Sequence, residues 1–262
     1  MDLHLKNKRV LITGGSRGIG LAVAKAFATE GCHLIICARK VAELEAAKAE
    51  ILSAYSVAVD CQQTDVSKAE DITKLLNHIK TQYGSLDIFI NNAGQGSEET
   101  IAEASDERWA YYLDLHLMAA VRLSRGLIPM MNSGGSMLMN SSICARQPLG
   151  YEPIYNTTKA ALSMFSKCLA NELIPKNIRV NTISPGLIIT PDWVNTATNL
   201  GAKEGISAEQ YLDRLAKQLT PIGRFGTPQE LANFFVFLCS PMASYSVGST
   251  YYVDGGWLNV VE

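Results

Sequence analysis

Short apolar runs alternate with segments of helical periodicity along most of the chain, and this alternation leaves little freedom in the fold. The runs lie at 9–13, 34–38, 57–61, 86–91, 136–140, 178–183 and 250–253. Strands that are apolar without alternation need cover on both faces, which is the condition of a parallel sheet. Between them, 18–30 places Ile19, Ala22, Val23, Ala26 and Phe27 on one face at a period of 3.6, and Gly31 stops the helix. Further helices are predicted over 41–53, from a capping-box signature at Ser67 to Glu70, over 107–131, and from Tyr155 to Leu173. Thr227-Pro228-Gln229-Glu230 opens another, with proline at its first position. The pattern predicts one α/β domain over residues 1–262, a parallel sheet with helices on both faces. Residues 190–226 interrupt the alternation and are read as a substrate lid, with a short helix opened by Ser207 and Gln210.

Hydrophobic residues at 47% and charged residues at 18% argue against disorder. A net charge of −2 supplies no basic field for nucleic acid or an anionic membrane. No apolar run is long enough to span a bilayer, and residues 1–6 do not form a secretory leader. The cysteines at 32, 37, 61, 144, 168 and 239 form no Cys-x-x-Cys, and the four histidines show no metal-ligand spacing. The expectation is a cytoplasmic protein with reduced thiols and no metal.

The first strand runs into Thr13-Gly14-Gly15-Ser16-Arg17-Gly18-Ile19-Gly20. A strand, a glycine turn and a helix N-terminus direct backbone N–H groups at a pyrophosphate. The spacing is Gly-x-x-x-Gly-x-Gly rather than the usual Gly-x-Gly-x-x-Gly. At the tip of the second strand stand Ala38-Arg39-Lys40, with no carboxylate before Glu43. NAD sites place an acid there for the ribose diol, so two cations, joined by Arg17, favour NADP(H) over NAD(H).

Tyr155 and Lys159 are four residues apart and share a helix face, with Ser142 upstream at the end of the fifth strand. An ammonium lowers a phenol from its ordinary value of about 10, so Tyr155 becomes a proton donor or acceptor near neutral pH. Ser142 is placed to bond the same oxygen. Turn and trio together predict hydride exchange between a nicotinamide and a ketone or secondary alcohol.

In these motifs the chain resembles the short-chain dehydrogenase/reductase family along essentially its full length. The matching residues are Thr13 to Gly20, Asp65, Asn91-Asn92-Ala93-Gly94, Ser142, Tyr155 with Lys159, Asn181, Pro185-Gly186 with Thr190, and Asp254-Gly255-Gly256. The resemblance implies a Rossmann-like, doubly wound, seven-stranded parallel sheet. It implies that Lys159 bonds the nicotinamide ribose and assists Tyr155, while Ser142 orients the carbonyl. Asp65, with Val66 beside it, is implied at the adenine; Asn91, Ala93 and Gly94 along the cofactor cleft; and Ile188 and Thr190, after Pro185 and Gly186, at the carboxamide. A homotetramer or homodimer is implied, packed partly through the two long helices and the C-terminal strand.

One position departs from the family pattern. His116 stands where an asparagine is usual, and the imidazole either carries a proton relay or fills a helix kink. Candidate substrate walls are Gln95, Gly96, Cys144, Gln147, Leu149, Tyr151 and Trp193, which point to an uncharged or largely apolar ketone. Arg146 is read as a solvated loop charge, Cys144 as a buried small hydrophobe, and Trp193 as either a substrate cover or a lid anchor. Two alternatives stand beside the carbonyl reductase. One is a 3-oxoacyl-type reductase acting on a carrier-bound chain, and the other is a non-catalytic NADP-sensing protein.

Overall fold

The computed structural model describes residues 2–150 and 152–259. Seven strands form one sheet in the order β3-β2-β1-β4-β5-β6-β7. They are β1 (Arg9–Thr13), β2 (His33–Ala38), β3 (Val59–Gln63), β4 (Leu86–Asn91), β5 (Met131–Asn140), β6 (Arg179–Pro185) and β7 (Thr250–Val253). All pairings are parallel. The helices are α1 (Gly18–Thr29), α2 (Val41–Ala54), α3 (Ala69–Gln82), α4 (Asp106–Leu113), α5 (Ala119–Leu127), α6 (Pro153–Leu173), α7 (Pro191–Glu204), α8 (Ala208–Leu219) and α9 (Pro228–Cys239).

Period-two alternation sends the two faces of the central strands to opposite helical layers. Val10, Ile12, Ile36 and Ile90 pack with Val23 and Phe27 of α1, Leu44 and Ile51 of α2, and Leu231 and Phe235 of α9. Leu11, Ile35 and Phe89 point the other way, onto Ile72 and Leu75 of α3, Leu123 of α5 and Leu162 of α6. Each fully buried Phe or Ile contributes about 1.5–3 kcal/mol, so two-sided burial outweighs any local propensity. β1 lies between β2 and β4, and the chain winds outward from it in both directions. The carboxyl ends of β1 and β4 therefore border the crevice where such sheets bind ligands.

Several boundaries differ from the sequence expectation. The helix expected over 107–131 is broken by a π-turn at Asp114–Met118, in which the Ala119 N–H reaches the Asp114 carbonyl. It ends at Leu127, and β5 begins at Met131, earlier than 136. The capping box expected at Ser67 does not form. Ser67 donates instead from its N–H and hydroxyl to Asp65 Oδ1, and α3 starts without a side-chain cap. The boxes at Ser207 and Thr227 do form. The stretch 190–226 is mostly helical, because Thr190 caps α7 through the Trp193 N–H and Pro191 occupies its first turn. Among the described residues, no helix is long and apolar enough to cross a membrane.

Candidate active site

The glycine turn lies against the end of β4. Gly14 has φ +66°, and a Cβ there would sit 3.1 Å from the Ala93 Cα; a Cβ on Gly20 would sit 2.0 Å from the Gly14 carbonyl oxygen. Neither position accepts a side chain, so the backbone itself forms the floor of the turn. The first turn of α1 holds no acidic residue, leaving its N–H groups for an anion. Asn92 fastens the turn: its Nδ2 donates to the Thr13 and Gly14 carbonyls (2.9 and 3.4 Å), and its N–H donates to Thr13 Oγ1 (2.9 Å). Its Oδ1 accepts from Asn140 Nδ2 (2.8 Å), and the Asn140 carbonyl accepts from Lys159 Nζ (2.9 Å). One chain of hydrogen bonds thus runs from the glycine turn to the lysine.

The phosphate-side residues are distributed unevenly. Arg39 is exposed beside Gln63, Asp65 and Lys68, which line a polar recess with Asp71 and Lys74. Arg17 pairs with Asp192 on α7 (Nη2–Oδ1 3.0 Å), and Lys40 pairs with Glu43 (2.8 Å), both at the exposed surface of the glycine turn and the β2 tip. Ser16 also bonds Glu43 (3.4 Å). Free N–H groups, a side-chain-free cradle and an exposed guanidinium suit a dinucleotide bearing an extra phosphate. Val66 and Asn91 are buried, and Ile19 is partly buried against the α1 side of the core. Pro185 ends β6, and Gly186 packs so tightly on Asp254 that a Cβ would fall 2.7 Å from its Cα. Ile188 is core-packed and bridges Gly226.

Lys159 is buried, with its Nζ 5.4 Å from the centre of the Tyr155 ring. Burial lowers its pKa to about 8. His116 meets the same phenol ring edge-on at 5.4 Å. The Gln95 N–H can only donate, so His116 Nε2 accepts from it (3.3 Å) and the ring proton belongs to Nδ1. Nδ1–H then donates to Thr158 Oγ1 (2.8 Å), whose own hydrogen goes to the Tyr155 carbonyl (3.1 Å). Burial first, and then the Lys159 ammonium, hold His116 well below its ordinary 6.5, so it stays neutral. Both ring nitrogens are engaged, and the imidazole braces Gln95 and α6. His116→Asn is accordingly expected to leave the inflections of the pH–rate profile where they are, read from kcat between pH 5 and 9.

Ser142 accepts from the Cys144 N–H (3.3 Å), and burial pushes the Cys144 thiol up to about 11, which suits an inert small hydrophobe. Gln147 is occupied at the C-terminal segment: its Nε2 donates to the Trp257 carbonyl (3.5 Å) and its Oε1 accepts from the Asn259 N–H (2.9 Å). Trp193 stacks edge-on against Phe225 (5.4 Å) and packs with Ile143, Leu187 and Trp257, which ties the start of α7 to the C-terminal segment. Tyr151 lies outside the described residues.

Sequence reading missed Glu152. It is the residue before Pro153 of α6, and its Oε1 lies 2.8 Å from where a Cβ on Gly96 would stand. Its charge is also felt at Cys144. Burial, then the neighbouring Glu98, raise its carboxyl to about 7. A carboxyl held there is a hydrogen-bonding group at the edge of the trio. Position alone reveals it, because a glutamate before Pro153 reads as an ordinary loop charge.

The chain matches the family described as Enoyl-(Acyl carrier protein) reductase over residues 14–258. Dehydrogenase/reductase SDR family member 4 of Sus scrofa is 34% identical over 259 residues, 96% of this chain and 88% of that protein. Among solved structures, the L-sorbose reductase of Gluconobacter frateurii, complexed with NADPH and L-sorbose, superposes with a TM-score of 0.98. It is 52% identical, with full coverage of both chains. The aldohexose dehydrogenase of Thermoplasma acidophilum is 28% identical, with a TM-score of 0.88 over 100% of this chain and 98% of that one.

Proposed function

Since the chain belongs to the short-chain dehydrogenase/reductase family, we propose that it is an NADP(H)-dependent reductase of unphosphorylated ketoses of the L-sorbose type, working on the ketone–secondary alcohol pair. The observation that carries the substrate class is Glu152, a half-buried carboxyl at the start of α6. An apolar ketone gains nothing from an unpaired carboxyl, whereas a polyol supplies hydroxyls to satisfy it. The 52% identical structure complexed with NADPH and L-sorbose supports the same reading. The uncharged character inferred from the sequence is retained, and the largely apolar character gives way to a hydroxylated one. Glu98 beside Glu152, with Glu99 and Glu103 nearby in sequence, opposes anionic substrates and acidic carriers, against the carrier-bound alternative.

When bound, the dinucleotide supplies or accepts the hydride at the carbonyl carbon. The Tyr155 phenol gives its proton to the carbonyl oxygen in reduction and takes it back in oxidation. Lys159 stabilises the phenolate electrostatically, Ser142 bonds the substrate oxygen, and Asn140 holds Lys159 through its carbonyl. His116 keeps the Tyr155 turn and Gln95 in register. Val66 and Asp65 border the adenine end, and Arg39 takes the extra phosphate.

The test is NADPH consumption with L-sorbose, D-fructose, cyclohexanone, fructose 6-phosphate and an acetoacetyl thioester. The free ketoses are expected to be the best substrates by kcat/KM. Preference for cyclohexanone or the thioester would refute the assignment. Arg39→Asp is expected to raise the KM for NADPH by roughly 10-fold and to improve NADH use, because an acid suits the ribose diol and repels the phosphate. Paired kcat/KM values for the two nicotinamides check this.

A further inference from the structure

Helix α6 opens without a cap of its own. Glu152 stands at its N-cap position but makes no side-chain bond to the first turn, and Pro153 has no N–H to offer. The Tyr155 N–H is one of the orphan donors of that turn. It is bonded by Ser97 Oγ (3.3 Å), on a segment 58 residues earlier in the chain. Ser97 is 1% exposed, so water cannot take its place.

That segment is itself held at three successive residues. The Gln95 N–H donates to His116 Nε2 (3.3 Å). The Gly96 carbonyl accepts from the Tyr112 hydroxyl (2.6 Å). Ser97 Oγ accepts from Tyr155. Tyr112 is 1% exposed; its oxygen accepts from Arg108 Nη2 (3.2 Å), and Arg108 in turn pairs with Glu99. The cap is thus a group braced by α4 and the π-turn, unlike a side chain on the helix that it terminates.

We infer that Ser97 is a positioning residue for the reduction: it caps the Tyr155 turn from outside α6 and sets the angle at which the phenol is presented. The inference rests on the reading of Tyr155 as the acid. A helix opened by an uncapped turn frays at that turn, and here the frayed residue would be the proton donor. Rates are steep in such displacements, about 100-fold for roughly 1 Å.

The experiment compares Ser97→Ala, Ser97→Thr, Tyr112→Phe and Tyr155→Phe with the wild type. It measures kcat, the KM for ketose, NADPH binding by fluorescence titration, and amide hydrogen exchange of the peptide around Tyr155. Ser97→Ala is expected to lower kcat about 10-fold, a partial displacement on that scale. NADPH affinity and ketose KM should stay within about twofold, and faster exchange should be confined to the start of α6. Ser97→Thr should recover most of kcat, because it keeps the hydroxyl. Tyr112→Phe should act in the same direction, about threefold, by loosening the brace. Wild-type kcat in Ser97→Ala, or a loss that Ser97→Thr does not repair, would overturn the role. If Ser97→Ala does not fold, wild-type kcat in Tyr112→Phe overturns it equally. Full turnover in Tyr155→Phe would strike the acid assignment instead, so the two failures are separable.

Discussion

Tyr155→Phe lowers kcat for ketose reduction by about 1,000-fold in the expected result, while NADPH binds within about twofold of the wild-type affinity. General acid catalysis contributes typically ~10²–10⁴-fold, and the phenol oxygen is the only part of the side chain that the substitution removes. The ring keeps its edge contact with His116 and its place over Lys159, so the cleft retains its shape. Steady-state rates beside a fluorescence titration of NADPH separate the two effects. The pH dependence follows from Lys159. Its value of about 8 means that the ammonium is present at pH 7 and is lost as pH rises through 8, so kcat for reduction should fall above that point. The stability sign is opposite. A lysine with a depressed folded value contributes stability above its ordinary 10.5 and loses it as pH falls through about 8. At neutral pH the buried ammonium therefore opposes folding.

Glu152→Ala is expected to lower kcat/KM for L-sorbose by about 100-fold and to leave cyclohexanone turnover within about twofold. Hydrogen bonds to a charged group contribute about 1.5–3 kcal/mol each, which is roughly a 10- to 100-fold effect on affinity. Glu152→Gln keeps the shape but replaces an acceptor oxygen with an amide donor, and should fall between. Because the carboxyl titrates near 7, ketose KM should improve as pH rises through that value in the wild type and stay flat in Glu152→Gln. The linkage sign is again checkable. A carboxyl raised in the folded state contributes stability below its ordinary 4.5 and loses it as pH rises through about 7. Urea unfolding at pH 8 should therefore find Glu152→Gln at least as stable as the wild type. Equal losses for sugar and cyclohexanone would show that Glu152 supports the fold rather than the hydroxyls.

The parts of this molecule that could be read in advance were those written in neighbouring residues. Thr13 to Gly20 announced a strand, a turn and a helix because the glycines fall where backbone meets backbone, and β1 begins and ends where expected. The two-faced apolar strands gave away the parallel sheet for the same reason. What escaped was non-local. Ser97 looks like any loop serine until it is found under Tyr155, and Asn140 until it is seen between Asn92 and Lys159. The π-turn at Asp114–Met118 left no mark on the helical period strong enough to break it. Thr190-Pro191 was a legible helix start, but the glycines at 201 and 205 disguised the helix that follows. Arg17 and Lys40 could be read as cations beside a phosphate, but not their surface pairs with Asp192 and Glu43, since Asp192 lies 175 residues from Arg17 in the chain.

The insertion carrying α7 and α8 departs and returns at nearly one point. The Ile189 N–H bonds the Gly226 carbonyl (2.9 Å), and the Gly226 N–H bonds the Leu187 carbonyl (2.8 Å). Between these stems the block keeps its own joints to the rest of the fold: Asp192 pairs with Arg17, and the Ile222 N–H bonds the Gly255 carbonyl (3.1 Å). An exchange of 190–225 with a relative therefore has to carry matching partners at Arg17, Gly255 and Trp257, because these hold the block to the glycine turn and to the C-terminal segment.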